Sequence, residues 1–221
     1  FFHTYYNGNY DRDYVVADLG TLYETARVSL KPWPANRLLH KMITATLDVM
    51  EGNDLSFEDI ANVEMEVGVT NLTRCYIPEK GWIPHRRIDL LSNLPFNIAA
   101  TIRYRGYSLP LYHDAALVDD VIETALPKVS WIQTERQNTD YIEVGRAKIT
   151  TTSGKIFNAD CDVALGHPNN PMSDAQRHQK FYDCTKIATN PVFKDRANQM
   201  IDVLETLEKV DDLEDLLKLL R

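Results

Sequence analysis

Apolar residues along the chain follow two different spacings, one typical of helices and one typical of strands. Between residues 38 and 50 they recur three and four positions apart, which predicts an amphipathic helix that ends at Gly52 and Asn53. Between residues 63 and 69 they alternate with polar or small residues, which predicts a half-buried strand. The chain therefore combines helices with at least one strand.

The remaining elements follow from the same spacings and from proline, glycine and capping residues. Pro32 and Pro34 should end the weakly helical residues 14–26. Later in the chain we predict a helix over 89–103, which Pro95 interrupts or restarts, and a helix capped at His113 and Asp114. Strands are predicted over 128–134, 141–152 and 155–164. A loop over 166–171 and helices near residues 173, 193 and 213 follow. A tight turn at Ser153 and Gly154 should join the last two strands as a hairpin. Together these elements predict an α+β fold with a small, mostly antiparallel sheet flanked by helices.

The last predicted helix carries more leucine than a surface helix needs, at positions 213, 216, 217, 219 and 220. A terminal helix that closes the core of its own domain accounts for these leucines. A helix that packs on a domain outside this chain accounts for them equally well. The chain begins with neither an initiator methionine nor a signal pattern, so we expect an excerpt or a processed product.

The composition is that of a folded, acidic protein. Of its 221 residues, 44% are hydrophobic and 25% are charged, and the net charge is −8. This charge argues against nucleic-acid binding, although a local basic patch could still bind a small anion. Three cysteines without metal-ligand spacing indicate a reducing compartment. No apolar run approaches the roughly 18 residues that span a bilayer, so we expect no membrane partner.

Residues 31–40 contain the most side chains that could bind a ligand or take part in catalysis. They form a proline-framed loop that leads into a helix. Lys31 supplies a point charge and Arg37 a planar fork, and together they suit a di- or tricarboxylate. The alternative is that both are solvated flanking residues. His40 could exchange a proton near neutral pH, or it could simply make a local hydrogen bond at the helix start.

Other candidate residues give weaker signals. The basic cluster at residues 85–87 could bind an anion, and His167 lies in a turn-rich loop where a structural role is expected. The sequence contains no metal-binding, nucleophile-elbow, phosphate-loop or dinucleotide motif, so we expect neither a metal nor a cofactor. Taken alone, the residues predict only an anion site on an α+β domain.

Three segments, in order, resemble the MmgE/PrpD family, which includes 2-methylcitrate dehydratase, cis-aconitate decarboxylase and iminodisuccinate epimerase. Residues 31–40 are similar to the family's Lys-Pro-Tyr-Pro segment with its downstream Arg and His. Residues 89–99 are similar to its Leu-Pro-Tyr helix. Residues 166–173, followed by Lys180 and Phe181, resemble its Gly-x-Pro-x-Asn-Pro loop and Lys-Phe pair. The three matches together cover nearly the whole chain.

The resemblance implies a two-domain enzyme with an all-helical domain, a smaller α+β lid and an active site between them. Residues 1–185 would form the lid, and residues 186–221 would be helices that return to the helical domain. The main acid–base residues would then lie outside this chain, so its catalytic residues are unknown. The resemblance further implies a cofactor-free enzyme that is a homodimer when complete, located in the cytoplasm or, in a eukaryote, in the mitochondrial matrix.

The predicted substrate-binding residues lie in the first two segments: Lys31, Asn36, Arg37, His40 and Phe96. Two of them depart from the family, because Phe96 replaces a tyrosine and Asn36 stands where the decarboxylases have histidine. These departures make cis-aconitate decarboxylation the least supported activity. The leading hypothesis is a dehydratase that removes a proton next to a carboxylate of a small tricarboxylate such as 2-methylcitrate. The alternatives are an epimerase of an imino- or amino-dicarboxylate and a non-catalytic binding module.

Overall fold

A computed structural model of the chain describes residues 1–68, 72, 75, 87–106, 108–134 and 145–221. The strands are β1 (Ile60–Val67), β2 (Val129–Gln133), β3 (Arg146–Thr151) and β4 (Ile156–Asp160). The helices are α1 (Phe2–Tyr6), α2 (Arg12–Val16), α3 (His40–Gly52), α4 (Arg87–Leu90), α5 (Leu94–Tyr104), α6 (Leu109–His113), α7 (Ala115–Asp120), α8 (Asp174–Lys186), α9 (Val192–Asp195), α10 (Ala197–Leu204) and α11 (Leu213–Leu219).

The described strands form one mixed sheet in the order β2-β1-β3-β4. Strand β1 is antiparallel to β3, with Val63 opposite Ile149, and β3 is antiparallel to β4. Strand β2 pairs with β1 in parallel, with Val129 opposite Val63. A parallel pair needs a long crossover, and here the chain between β1 and β2 includes α4 to α7. The predicted α+β fold with a small, mostly antiparallel sheet is confirmed.

The two faces of the sheet differ as strand alternation requires. Val63, Met65 and Val67 are fully buried on one face. The other face carries ion pairs between strands, with Lys148 Nζ 3.2 Å from Glu64 and Arg146 Nη1 2.8 Å from Glu66. One face is therefore the core side and the other is charged.

Helix α3 is the centre of the core, because it packs on β3 and β4 on one side and on α5 on the other. Every residue from His40 to Leu47 is buried. The helix predicted over residues 38–50 is confirmed, with a 3₁₀ turn at Arg37–Leu39 before it. It ends at Gly52, as the sequence predicted.

The predicted helix over 89–103 is two helices, α4 and α5, with a break before Pro95. Asn93 caps α5, and its Oδ1 accepts a hydrogen bond from the backbone N–H of Phe96 at 2.9 Å. Proline is well tolerated in the first turn of a helix, where its missing N–H leaves no bond unmade. The restart that Pro95 predicted is confirmed.

The second half of the chain also follows its sequence signals. Gly154, with φ +83°, turns the β3–β4 hairpin. Asp114 caps α7, and Ser173 forms a capping box with Gln176 at the start of α8. Residues 69 and 141–144, at the ends of two predicted strands, lie outside the described residues.

Both ends of the chain lie on the outside of this core. No residue before Lys31 is buried, and the weakly helical residues 14–26 contain only the end of α2 and a 3₁₀ turn at Glu24–Arg27. In α11, Leu213 is 59% exposed and Leu217 46% exposed. The leucines of α11 therefore do not close the core of this chain. Within the described ranges, no helix has both the length and the apolar character to cross a membrane.

Candidate carboxylate-binding site

Residues 31–40 fold back on themselves before α3 begins. Lys31 is exposed, and its Nζ donates a hydrogen bond to the carbonyl oxygen of Ala35 at 3.0 Å. The backbone N–H of Ala35 donates in turn to the carbonyl of Trp33 at 2.8 Å. Asn36 caps the 3₁₀ turn, with its Oδ1 3.1 Å from the backbone nitrogen of Leu38. The loop is thus a compact turn between Lys31 and Arg37 in the sequence.

The loop makes direct contact with the segment that leads into α5. The backbone N–H of Asn36 donates to the carbonyl of Leu91 at 2.7 Å. Its side-chain Nδ2 lies 3.3 Å from the hydroxyl oxygen of Ser92. The first two of the three family-like segments therefore meet at Asn36.

The third segment packs on the opposite side of the same loop. The backbone N–H of Leu30 donates to the carbonyl of Gly166 at 2.8 Å. The backbone N–H of Leu165 donates to Oγ1 of Thr44, one turn into α3, at 3.2 Å. All three segments thus converge at the amino-terminal end of α3.

A cleft of about 700 Å³ runs from this point along α3. Its walls come from the 31–34 loop, from α3, from the chain around α6 and from α8. The lining residues include Pro32, Trp33, Thr44, Asp48, Glu51, Arg105, Lys180 and Asp183. The volume is within the range of small-molecule sites.

Three cations act on the imidazole of His40. Burial lowers the pKa of His40 to about 4, against the weaker opposing effect of its hydrogen bond to Ala35. The positive charges of Lys31, Arg37 and Lys180 lower the pKa of His40 further. The imidazole is therefore neutral at pH 7 and lies within a positive field.

His40 is enclosed and does not open onto the cleft. It is 1% exposed, its Nε2 lies 3.4 Å from the carbonyl oxygen of Ala35, and its ring centroid is 5.4 Å from that of Trp33. Trp33 stands between this imidazole and the space of the cleft. The geometry supports the local hydrogen bond expected for a histidine at a helix start.

Phe96 is placed differently from the other four predicted substrate-binding residues. It lies in the first turn of α5, is 1% exposed and belongs to the hydrophobic core. The structure brings Lys31, Asn36, Arg37 and His40 together in one loop. A contact between Phe96 and a substrate stays a prediction.

Lys180 belongs to this site but was not among the predicted site residues. It lines the cleft from α8, together with Trp33 from the loop. The sequence held a signal for it, since Lys180 and Phe181 form the Lys-Phe pair of the third segment. Its sequence position alone could not place Lys180 near residue 31, because the two residues are far apart in the sequence and come close only in the folded chain.

The far end of the cleft is acidic. Asp48 and Glu51 follow Thr44 along α3, about 6 and 10 Å further on at 1.5 Å per residue. Burial and the charge of Glu51 raise the pKa of Asp48. The cleft therefore carries acidic side chains along α3 together with the lining cations Lys180 and Arg105.

The other candidates contribute less. Nδ1 of His167 accepts a hydrogen bond from the backbone N–H of Asn169 at 3.0 Å, which fits the expected structural role in its turn. The basic cluster at residues 85–87 lies outside the residues whose side chains are described. Among the described residues, no group of three or more His, Cys, Asp or Glu side chains is placed to hold a metal ion.

A comparison with protein families matches this chain to the MmgE/PrpD C-terminal domain over residues 33–208. This range includes the second and third converging segments, the first segment from Trp33 onward, α8 and most of the described core, while Lys31 precedes it. The chain belongs to this family, and the family points to the dehydratase, or hydro-lyase, class. No curated protein matches the chain in a sequence search.

Proposed function

We propose that this chain is the carboxylate-binding part of a hydro-lyase that acts on a small tricarboxylate such as 2-methylcitrate. The supporting observation is that the positive charges of Lys31, Arg37 and Lys180 all act on His40, beside a cleft that Lys180 lines, in a chain that belongs to a dehydratase-related family. Arginine binds a carboxylate through two parallel hydrogen bonds, and lysine binds it as a point charge. An acidic chain that gathers three cations around His40, one of them lining the cleft, is well suited to a polyanionic substrate.

In this proposal Lys31 and Arg37 hold the carboxylate next to the carbon that loses a proton. A base takes that proton, negative charge develops on the bound carboxylate, and the hydroxyl group on the neighbouring carbon leaves with a proton as water. A carbon–carbon double bond remains. The two cations stabilise the developing charge more than the ground state, which is how they accelerate the reaction.

Asn36 and His40 support this arrangement by holding the loop. Asn36 ties it to Leu91 and Ser92, and His40 fills the space behind Trp33 as a neutral group. With its pKa near 4, His40 is uncharged at neutral pH and adds no positive charge of its own. The positive charge around His40 thus comes from Lys31, Arg37 and Lys180.

The proposal assigns the catalytic base to a helical domain beyond this chain. Residues 1–185 would act as the lid, and residues 186–221 would pack on that domain, with a homodimer as the complete enzyme. The exposed leucines of α11 support this division, because water is a poor environment for an apolar helix face. A small polar substrate and the three free thiols fit a cytoplasmic or mitochondrial-matrix enzyme.

The acidic end of the cleft favours one second candidate, an epimerase of an amino- or imino-dicarboxylate. Such a substrate carries carboxylates and a cationic nitrogen. Lys31 and Arg37 would bind the carboxylates, and Asp48 or Glu51 would bind the nitrogen. The same proton abstraction then ends with return of the proton to the other face of the carbon instead of loss of water.

Proton NMR in deuterium oxide distinguishes these reactions. The polypeptide at its full natural length is incubated separately with 2-methylcitrate and with an amino-dicarboxylate such as aspartate. An alkene signal from 2-methylcitrate supports the dehydratase. Deuterium incorporation into the amino-dicarboxylate without an alkene supports the epimerase, and no change in either substrate would contradict both enzymatic proposals.

A further inference from the structure

Lys180 lines the cleft and has no hydrogen-bond or ion-pair partner among the residues that the structure describes. It is half-buried on α8. Asp183, the acid one turn further along α8, is already engaged by Gln179 and by Lys186, each at 2.9 Å. An ammonium group held near a wall of the cleft with its local acid occupied is available to a bound anion.

The position of Lys180 complements that of the 31–40 loop. It lines the same cleft as Pro32 and Trp33, and Lys31 and Arg37 belong to the loop that carries these two residues. The charges of Lys31, Arg37 and Lys180 all reach His40. The three cations therefore lie around the same end of α3, and Lys180 is the one of them that lines the cleft.

The helix that carries Lys180 is fixed to the helices that follow it. Nε2 of His178 lies 2.5 Å from Glu205, at the end of α10. The hydroxyl of Tyr182 donates to Oδ1 of Asn198 at 2.7 Å. These two contacts lie on either side of Lys180 along α8. They fix the helix from which Lys180 lines the cleft.

We propose that Lys180 binds the carboxylate of the substrate that Lys31 and Arg37 leave unbound, and so makes the site selective for tricarboxylates over dicarboxylates. This inference rests on the proposed function. It adds that selectivity comes from α8, which lines the cleft together with the loop. A dicarboxylate would use the loop cations and leave Lys180 in water, whereas a tricarboxylate would engage both walls.

Calorimetric titration of the full-length protein tests this with two ligands, propane-1,2,3-tricarboxylate and glutarate. We expect Lys180→Gln to weaken binding of the tricarboxylate on the order of 10- to 100-fold and to change glutarate binding less than about twofold. Lys180→Arg keeps the charge and should retain most of the affinity. Lys194→Gln, an exposed lysine on α9 outside the cleft, is the matched control and should change neither affinity.

Lys31→Gln separates this inference from the proposed function. If Lys31→Gln weakens the binding of both ligands while Lys180→Gln weakens the binding of neither, the loop site stands and the role of Lys180 is overturned. If Lys180→Gln weakens the binding of both ligands equally, Lys180 acts as a general positive charge and its role in selectivity is overturned. If the unmodified protein binds neither ligand, the proposed function itself fails.

Discussion

Gly166 and Leu30 approach each other so closely that no side chain fits between their backbones. A Cβ atom built on Gly166 would lie 2.0 Å from the carbonyl oxygen of Leu30, and the φ of Gly166 is +89°. This contact joins the third family-like segment to the start of the loop that carries Lys31. Glycine at position 166 is therefore a requirement for assembling the site.

Gly166→Ala should destabilise the protein by about 2–3 kcal/mol, because it combines backbone strain with a collision against Leu30. Gly154→Ala is the matched control, since Gly154 has a φ of +83° but nothing within 4 Å of its Cβ position. Strain alone should cost the control about 1 kcal/mol. Urea unfolding measures both values, and equal losses for the two variants would contradict the close contact.

His40 should make the protein less stable as the pH falls from 7 to 5. Its pKa is about 4 in the folded chain and 6.5 when unfolded, so the unfolded chain binds more protons in this range. The stability that His40 contributes is fully present above pH 6.5 and is lost as the pH falls toward 4. The expected loss is about 2 kcal/mol between pH 7 and pH 5.

The contribution of His40 is isolated by comparison with His40→Gln. Both proteins are unfolded in urea at pH 7 and pH 5, and carboxylates that titrate in both cancel in the difference. Between pH 7 and pH 5 the free energy of unfolding should fall by about 2 kcal/mol less in the variant than in the unmodified protein. The same pH dependence in both proteins would show that His40 is not buried as a neutral group.

The three free cysteines should differ in their reaction with a thiol reagent. Burial raises the pKa of the Cys161 thiol to about 11, and Cys75 is also buried. Cys184, on α8, is only half-buried. We expect one fast reacting thiol in the native protein at pH 8, and Cys184→Ser should remove it. A fast phase that survives in Cys184→Ser would contradict the burial of the other two cysteines.

Local sequence signals predicted much of the fold because the corresponding elements are held by local interactions. The spacing of apolar residues located α3, Pro95 marked the restart at α5, and Gly154 marked the hairpin turn. The parallel pairing of β1 with β2 could not be predicted in this way. It depends on how the intervening helices cross the sheet, and no local signal encodes that path.

Part of the site was predictable because its residues are close together in the sequence. Lys31, Asn36, Arg37 and His40 lie within ten residues of one another, so one turn gathers them. Lys180 reaches the cleft only through tertiary packing of α8. Phe96 lies in the core although its motif position predicted a substrate contact, because the first turn of α5 faces the interior at that residue.

The measurement that tests the account most directly is the affinity of the full-length protein for propane-1,2,3-tricarboxylate, with Lys31→Ala and Arg37→Ala. Each variant removes one charged hydrogen-bond donor to a carboxylate, so each should weaken binding on the order of 10- to 100-fold. Lys194→Ala should leave the affinity unchanged. If Lys31→Ala and Arg37→Ala both bind the tricarboxylate as tightly as the unmodified protein, the loop before α3 is not the carboxylate-binding site.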